Sequence, residues 1–339
     1  MKKIKIVFIN FLVFLGFIFL IEAIFGNWFK NNNFGFSIRE LRNVSTPMSV
    51  KYNGQKYDYI FKRNKIGFIG EEIDPEDIKV VFLGGSTGEE MFKPIKHSIV
   101  GSLNQKLKDN NIDLKIINAS KGGKTTRGYI NDFKYWFSKI NNFNPKIFIF
   151  YTGLNDSSLT LPDHFDQPYK NKLSEKLEDY MKNNSFFYEY KKKIENKYFN
   201  ELRKYYGLVE KNLYDNFDLI NYEKAKKKFA NLKPNEEIEN VFKNFSKNLD
   251  NLKEIIDNQN ITPIFITQIQ YDGLNNYALF ITNEYLKQFC KVNGYSIIKL
   301  DEMNYKLDNK DFYDHVHTTV QGSLKISNLI FSDLRNILN

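Results

Sequence analysis

KVVFLGGSTGEE, residues 79–90, sets four apolar residues, Val80, Val81, Phe82 and Leu83, against an abrupt Gly84-Gly85 pair and then a serine. A short apolar run stopped by glycines and followed by a helical pattern describes a buried strand, a tight turn and a helix start. Ser86 then stands at the carboxyl end of a strand, beside the unpaired N–H groups of a helix N-terminus. Two readings fit this stretch alone. Ser86 or Thr87 caps the helix and the glycines turn the chain, or the Ser86 hydroxyl is presented as a nucleophile.

Outward from residue 79 the pattern alternates. Helical spacing follows at 98–108 and 128–140, and apolar runs at 115–117 and 146–151, which together predict a parallel sheet with helices on both faces. The alternation pauses at 161–234, a stretch rich in Lys, Glu, Tyr and Asn that predicts a helical insertion over one end of the sheet. It resumes with helices expected at 238–256, 278–292 and 320–338 and strands at 262–267 and 295–300.

In such a sheet the loops at the carboxyl ends of the strands gather and build the site. After Ser86 these loops are NASKGGKTT (118–126), TGLND (152–156) and YDHVHTTVQG (313–322). A glycine lets its backbone N–H approach an oxyanion closely, and an asparagine side chain offers an NH₂ donor. Each loop taken singly is also ordinary turn chemistry. Acyl transfer to a serine needs a base, and the chain holds four histidines, His97, His164, His315 and His317. Asp314 and His317 are three residues apart, so the carboxylate can hold one imidazole nitrogen while the other faces the serine. His315 adjoins the aspartate and is expected to point elsewhere, while His97 and His164 have no such partner.

Composition bounds the alternatives. With 339 residues, 42% hydrophobic and 16% aromatic, the chain has material for one large core or two modest ones. The net charge of +9 is spread among Asn, Ile, Phe and Tyr with no basic tract on a recognisable nucleic-acid module, so no nucleic-acid partner is expected. Cys290, the sole cysteine, excludes an internal disulfide and a thiolate zinc cluster and is expected in the core. At the other end, residues 6–25 are almost continuously apolar behind Lys2, Lys3 and Lys5, long enough to cross a bilayer. An uncleaved signal anchor is expected, with a cleaved signal peptide as the alternative. The basic residues Lys30, Arg39 and Arg42 behind the span nearly balance the charge bias, and the very short basic head favours a cytoplasmic N-terminus. The expected organisation is a head at 1–5, the anchor at 6–25, a juxtamembrane linker and edge strands at 26–78, and an α/β domain at 79–339.

GGST around Ser86, NASKGG, GLND and DHVH, in that order, resemble the four blocks of the SGNH hydrolases, also called GDSL esterases. The resemblance covers most of the chain from residue 79 apart from the insertion. It implies a three-layer, flavodoxin-like fold in which Ser86 attacks an acyl carbonyl, His317 takes its proton and Asp314 orients the ring. Gly123, Asn155 and the backbone N–H of Ser86 would bind the oxyanion, Gly123 being preferred to Gly122 because it lies five residues after Asn118. The family has aspartate before the serine where this chain has Gly85. No metal or organic cofactor is implied. Read as a bacterial single-pass inner-membrane protein with its domain on the periplasmic or extracellular side, the chain is expected to remove or transfer short acyl groups, such as O-acetyl on a surface polysaccharide. A lysophospholipase or thioesterase acting on lipid is the alternative within the class, and a non-catalytic glycan-binding scaffold the alternative outside it. Phe186, Phe187, Tyr188 and Tyr190 are expected either to stack on sugar or to pack the insertion's own core, and Gln268 and Gln270, which follow the fourth strand, either to line the pocket or to serve the packing.

Overall fold

The computed structural model describes residues 2–29, 41–52, 54–158, 166, 173–195, 208–211 and 220–338. Five parallel strands form the central sheet: β3 (Val80–Gly84), β4 (Ile116–Asn118), β5 (Ile147–Tyr151), β7 (Thr262–Ile266) and β8 (Ser296–Ile298), in the order β4-β3-β5-β7-β8. The chain enters at β3, steps outward to β4, then returns past β3 to build the other half. That is the flavodoxin-like order, with its switch point flanking β3. The inner strands β3, β5 and β7 are buried on both faces and apolar over most of their length without alternation, and Val80, Val81, Phe82 and Leu83 are all 0% exposed.

Successive side chains nevertheless serve opposite layers. Val80 and Phe82 face a layer made by α3 (Ile99–Asp109), through Ile99, Leu103 and Leu107, and by α9 (Val320–Leu338), through Ile326, Ile330 and Leu334. Val81 and Leu83 face α4 (Thr126–Asn131), α7 (Glu236–Asn258) and α8 (Tyr277–Asn293), whose apolar stripes supply Tyr129, Leu249, Leu252 and Leu286. Cys290 is buried in this second layer. Capping sets where these helices begin. Ser98 accepts from Gly101 N at 3.0 Å and Asn235 from Ile238 N at 2.9 Å. Gly294, with φ +69°, ends α8.

The helix expected at 128–140 is not uniform. After α4 it opens into a π turn, Asp132–Trp136, then tightens into a 3₁₀ turn, Phe137–Lys139. At this opening the fully buried Trp136 donates to Ile66 O at 2.7 Å.

Alternation at 52–69 suggests short edge strands there, and the structure starts them earlier. β1 (Val44–Tyr52) and β2 (Gln55–Arg63) form an antiparallel hairpin, turned where Gly54 has φ +81°. Within the insertion, α5 (Leu173–Asn184) is followed by helix 186–195, as helical spacing predicts. The insertion is not wholly helical, because β6 (Leu208–Lys211) pairs in parallel with β1 and makes a second sheet, β2-β1-β6. Its last helix, α6 (Tyr222–Phe229), buries Ala225 and Phe229, the latter packing on Tyr277 and Phe280 at the start of α8. The remaining helix, α1 (Lys2–Phe25), stands outside both cores. Its segment Ile4–Phe25 is long and apolar enough to cross a membrane, and none of its most apolar stretch is buried.

Candidate active site

β3 delivers Ser86 through Gly85 onto the one-turn helix α2 (Ser86–Glu89). This turn is held tightly. Asn118 at the end of β4 donates to Gly88 O at 2.8 Å, and a Cβ at Gly88 would meet Ser120 Oγ at 2.8 Å. The 118–126 loop keeps pairing past the strand, Ala119 N donating to Phe82 O at 2.8 Å and Lys121 N to Gly84 O at 3.1 Å. The two glycines that follow therefore lie beside the serine: a Cβ at Gly122 would be 3.9 Å from Ser86 Cβ. Gly122 N is taken by Glu89 Oε2 at 2.8 Å. Gly123, in the left-handed region at φ +73°, keeps its N–H without an acceptor among the described residues.

The 152–156 loop closes the other side. Gly153, φ +115°, turns the chain, and Asn155 donates one hydrogen of its amide to Lys124 O at 2.8 Å. A Cβ at Gly85 would lie only 2.1 Å from Asn155 Nδ2. The space a side chain at residue 85 would need is thus filled by the Asn155 amide.

From the far end of the chain, His317 Nε2 stands 2.7 Å from Ser86 Oγ, and His317 Nδ1 stands 2.9 and 2.8 Å from the two oxygens of Asp314. Asp314 also accepts the N–H groups of Val316 and His317 at 3.0 and 2.8 Å. Burial pushes the Asp314 carboxyl up, but the bond from His317, its charge and these two amides together hold it below the ordinary value. A ring stack with Tyr313, 5.7 Å between centroids and 10° between planes, fixes the imidazole from the side. The site is half-open, the His317 side chain being 26% exposed. Serine, imidazole and carboxylate are in line, with N–H donors on two flanking loops, an arrangement competent for acyl transfer through a serine ester.

The other histidines lie apart. His315 packs edge-on against Tyr271 at 4.6 Å, and His97 against Tyr57 at 6.0 Å. His164 lies outside the described residues. Gln268 does not line the site as a free side chain. Almost fully buried, it accepts from Leu154 N and donates to Thr87 Oγ1, both at 2.8 Å, and so ties the Asn155 loop to α2. Gln270 turns away to Asp272 at 2.7 Å. Among the described residues the aromatics of 186–190 cluster only loosely: Phe186 stacks on Tyr190 at 5.8 Å and packs on Phe25 of α1 at 5.5 Å, while Phe187 and Tyr190 stay exposed.

Several supports carry no sequence signature. Arg63 at the end of β2, 2% exposed, donates to Glu89 Oε1 at 2.7 Å, Ser120 O at 2.6 Å and Gly67 O at 2.9 Å. It thereby holds the carboxylate that holds Gly122. On the histidine side, fully buried Lys93 pairs with Glu90 Oε1 at 2.8 Å and donates to Thr318 Oγ1 at 2.9 Å and Ser323 Oγ at 2.6 Å, and also to Thr318 O. Glu90, the cap after α2, is thus tied through Lys93 to Thr318, the residue after His317. Burial lowers the Lys93 ammonium against the opposing pull of Glu90. Below the glycine loop, burial raises both Asp132, paired with Lys124, and Asp156, which accepts from Thr126 N and Oγ1, to about 6. Among the described residues no three His, Cys, Asp or Glu side chains converge as a metal site.

No family model and no curated protein matches the chain. Solved structures similar to it include an acetyl xylan esterase, AlAXEase, at 14% identity, covering 75% of this chain and 98% of that one with a TM-score of 0.43. TesA is similar at 9% identity, covering 76% and 99% with a TM-score of 0.45. A third is an acylhydrolase of Bacteroides fragilis NCTC 9343, at 14% identity, covering 77% and 88% with a TM-score of 0.39. At these identities and scores the likeness assigns no residue role.

Proposed function

We propose that this chain is a membrane-anchored serine esterase of the SGNH type that hydrolyses or transfers short acyl groups. Ser86 Oγ attacks the acyl carbonyl while His317 Nε2 takes its proton, and Asp314 holds the Nδ1 proton and stabilises the imidazolium. The N–H groups of Ser86 and Gly123 and the second amide hydrogen of Asn155 receive the oxyanion. His317 then protonates the leaving alkoxide, and water or an acceptor hydroxyl, activated by the same ring, releases the acyl group from Ser86. The observation that carries this reading is the 2.7 Å contact of His317 Nε2 with Ser86 Oγ, with Nδ1 on both oxygens of Asp314.

The substrate class follows from location. The apolar Ile4–Phe25 segment behind a short basic head supports an inner-membrane anchor with the catalytic domain outside, and a surface polysaccharide carrying O-acetyl groups is a substrate within reach of a domain so placed. A fluorophosphonate probe on the full chain tests the chemistry: wild type is labelled and Ser86→Ala is not. An unlabelled wild type would favour a scaffold. Acyl-donor profiling tests the substrate. Acetate release from acetylated xylan or peptidoglycan is expected, and preferential release of fatty acid from lysophospholipid would move the substrate to lipid.

A further inference from the structure

Residues 173–195 carry an apolar face that no described part of the domain covers. Leu173 is 83% exposed, Leu177 61%, Met181 50% and Tyr190 53%, and Tyr180, Phe187 and Ile194 are exposed beside them. In α5 these residues recur at helical spacing on one side, and in helix 186–195 they do so again. This arm is fastened to the last turn of α1. Glu22 accepts from Ser185 Oγ at 2.6 Å, Phe186 N at 2.9 Å and Phe187 N at 3.2 Å, capping helix 186–195, and from Trp28 Nε1 at 2.9 Å. Asn27 N donates to Asn184 O at 2.8 Å, Phe25 packs on Phe186, and Trp28 packs on Tyr180 at 5.9 Å. From the other side Arg42 pairs with Glu189 at 3.3 Å. Glu22 lies three residues before the end of the span, about 5 Å along the helix axis. The junction between the arm's two helices therefore lies at the depth where α1 leaves the lipid.

We propose that the arm lies in the membrane–water interface, with its apolar face in the lipid of the leaflet from which α1 emerges. This rests on α1 being retained as an anchor. The two tyrosines on the face suit the headgroup boundary. Glu22, a carboxylate inside an apolar span, has its place explained as the cap that orients the arm. The stretch holds five lysines and five carboxylates, so apolar insertion and not anionic lipid drives the seating.

The test uses the full chain in nanodiscs of neutral phosphatidylcholine, with nitroxide labels on Leu177→Cys, Met181→Cys and Ile194→Cys. Lys182→Cys and Lys192→Cys report the opposite face, and Phe14→Cys the span. Power saturation is expected to place labels 177, 181 and 194 about 5–10 Å into the bilayer boundary, and 182 and 192 in water, unchanged at high salt. Labels 177 and 181 as water-exposed as 182, with 14 deep in the bilayer, would overturn the seating alone. Spin–spin broadening at 177 and 181 would also overturn it, by assigning the face to a second copy. A label at 14 outside the bilayer, or a mature chain starting beyond residue 25, would overturn the anchor reading and the seating together.

Discussion

Replacing Gly85 by alanine introduces a Cβ 2.1 Å from Asn155 Nδ2 and 3.3 Å from Lys124 O, the atom that Asn155 holds. The backbone itself does not object, because Gly85 sits at φ −80°, ψ −152°, where alanine is unstrained. Only the space is missing. An ordinary contact of about 3.5 Å requires the amide to withdraw by roughly 1.4 Å. A donor starting about 2.7–3.1 Å from the oxyanion then stands beyond about 4 Å, so its bond is lost. Removing one such donor costs about 2.7–4 kcal/mol of transition-state stabilisation, roughly 10²–10³ in kcat. On p-nitrophenyl acetate Gly85→Ala should therefore lose kcat by about that factor with KM little changed. Asn155→Ala should lose as much, and the double variant should be no worse than either, because both delete one interaction. Full kcat in Gly85→Ala beside a crippled Asn155→Ala would refute the reasoning.

Asp314→Asn should lower kcat by about 10⁴ with the fold intact, because the amide no longer accepts from Nδ1 and the ring turns a proton, not a lone pair, toward Ser86; circular dichroism and ester turnover check this. Lys93→Met leaves Glu90 buried without its cation and should cost about 3–5 kcal/mol in urea unfolding, a loss that Glu90→Gln added to it partly restores. Asp156, pushed up to about 6 by burial, binds its proton more tightly in the fold than in the unfolded chain, where its value is 3.8. The stability it contributes is complete below pH 3.8 and is lost as pH rises through about 6, so Asp156→Asn should flatten the melting temperature across that window.

The parts of the fold and site that were legible in the sequence share a physical cause. Strands buried on both faces must be apolar without interruption, so β3, β5 and β7 stand out of a polar chain. A loop that approaches a reacting carbonyl needs glycine, asparagine or histidine, so the blocks around Ser86, Gly123, Asn155 and His317 are visible in a single chain. The supports are not legible for the opposite reason. Arg63 meets Glu89 across 26 residues and Gln268 meets Thr87 across 181, and neither spacing reflects any local period. Lys93 is one cation among 49 lysines and arginines, and nothing near it foretells complete burial. Asn53-Gly54 does carry a hairpin signal, and it dates the edge strands from Val44 better than the alternation after Tyr52. The parallel partner β6 is four residues long, too short for its pattern to announce a strand.

Ser86 and His317 are 231 residues apart, and Lys93 reaches Thr318 and Ser323 across 225 and 230. During synthesis the serine leaves the ribosome long before the imidazole it meets in the fold, and until α9 packs on α3 Lys93 has Glu90 alone. A chain still being synthesised therefore carries a chemically silent hydroxyl, and the contact of Ser86 with His317 comes into being only when the final segment has arrived.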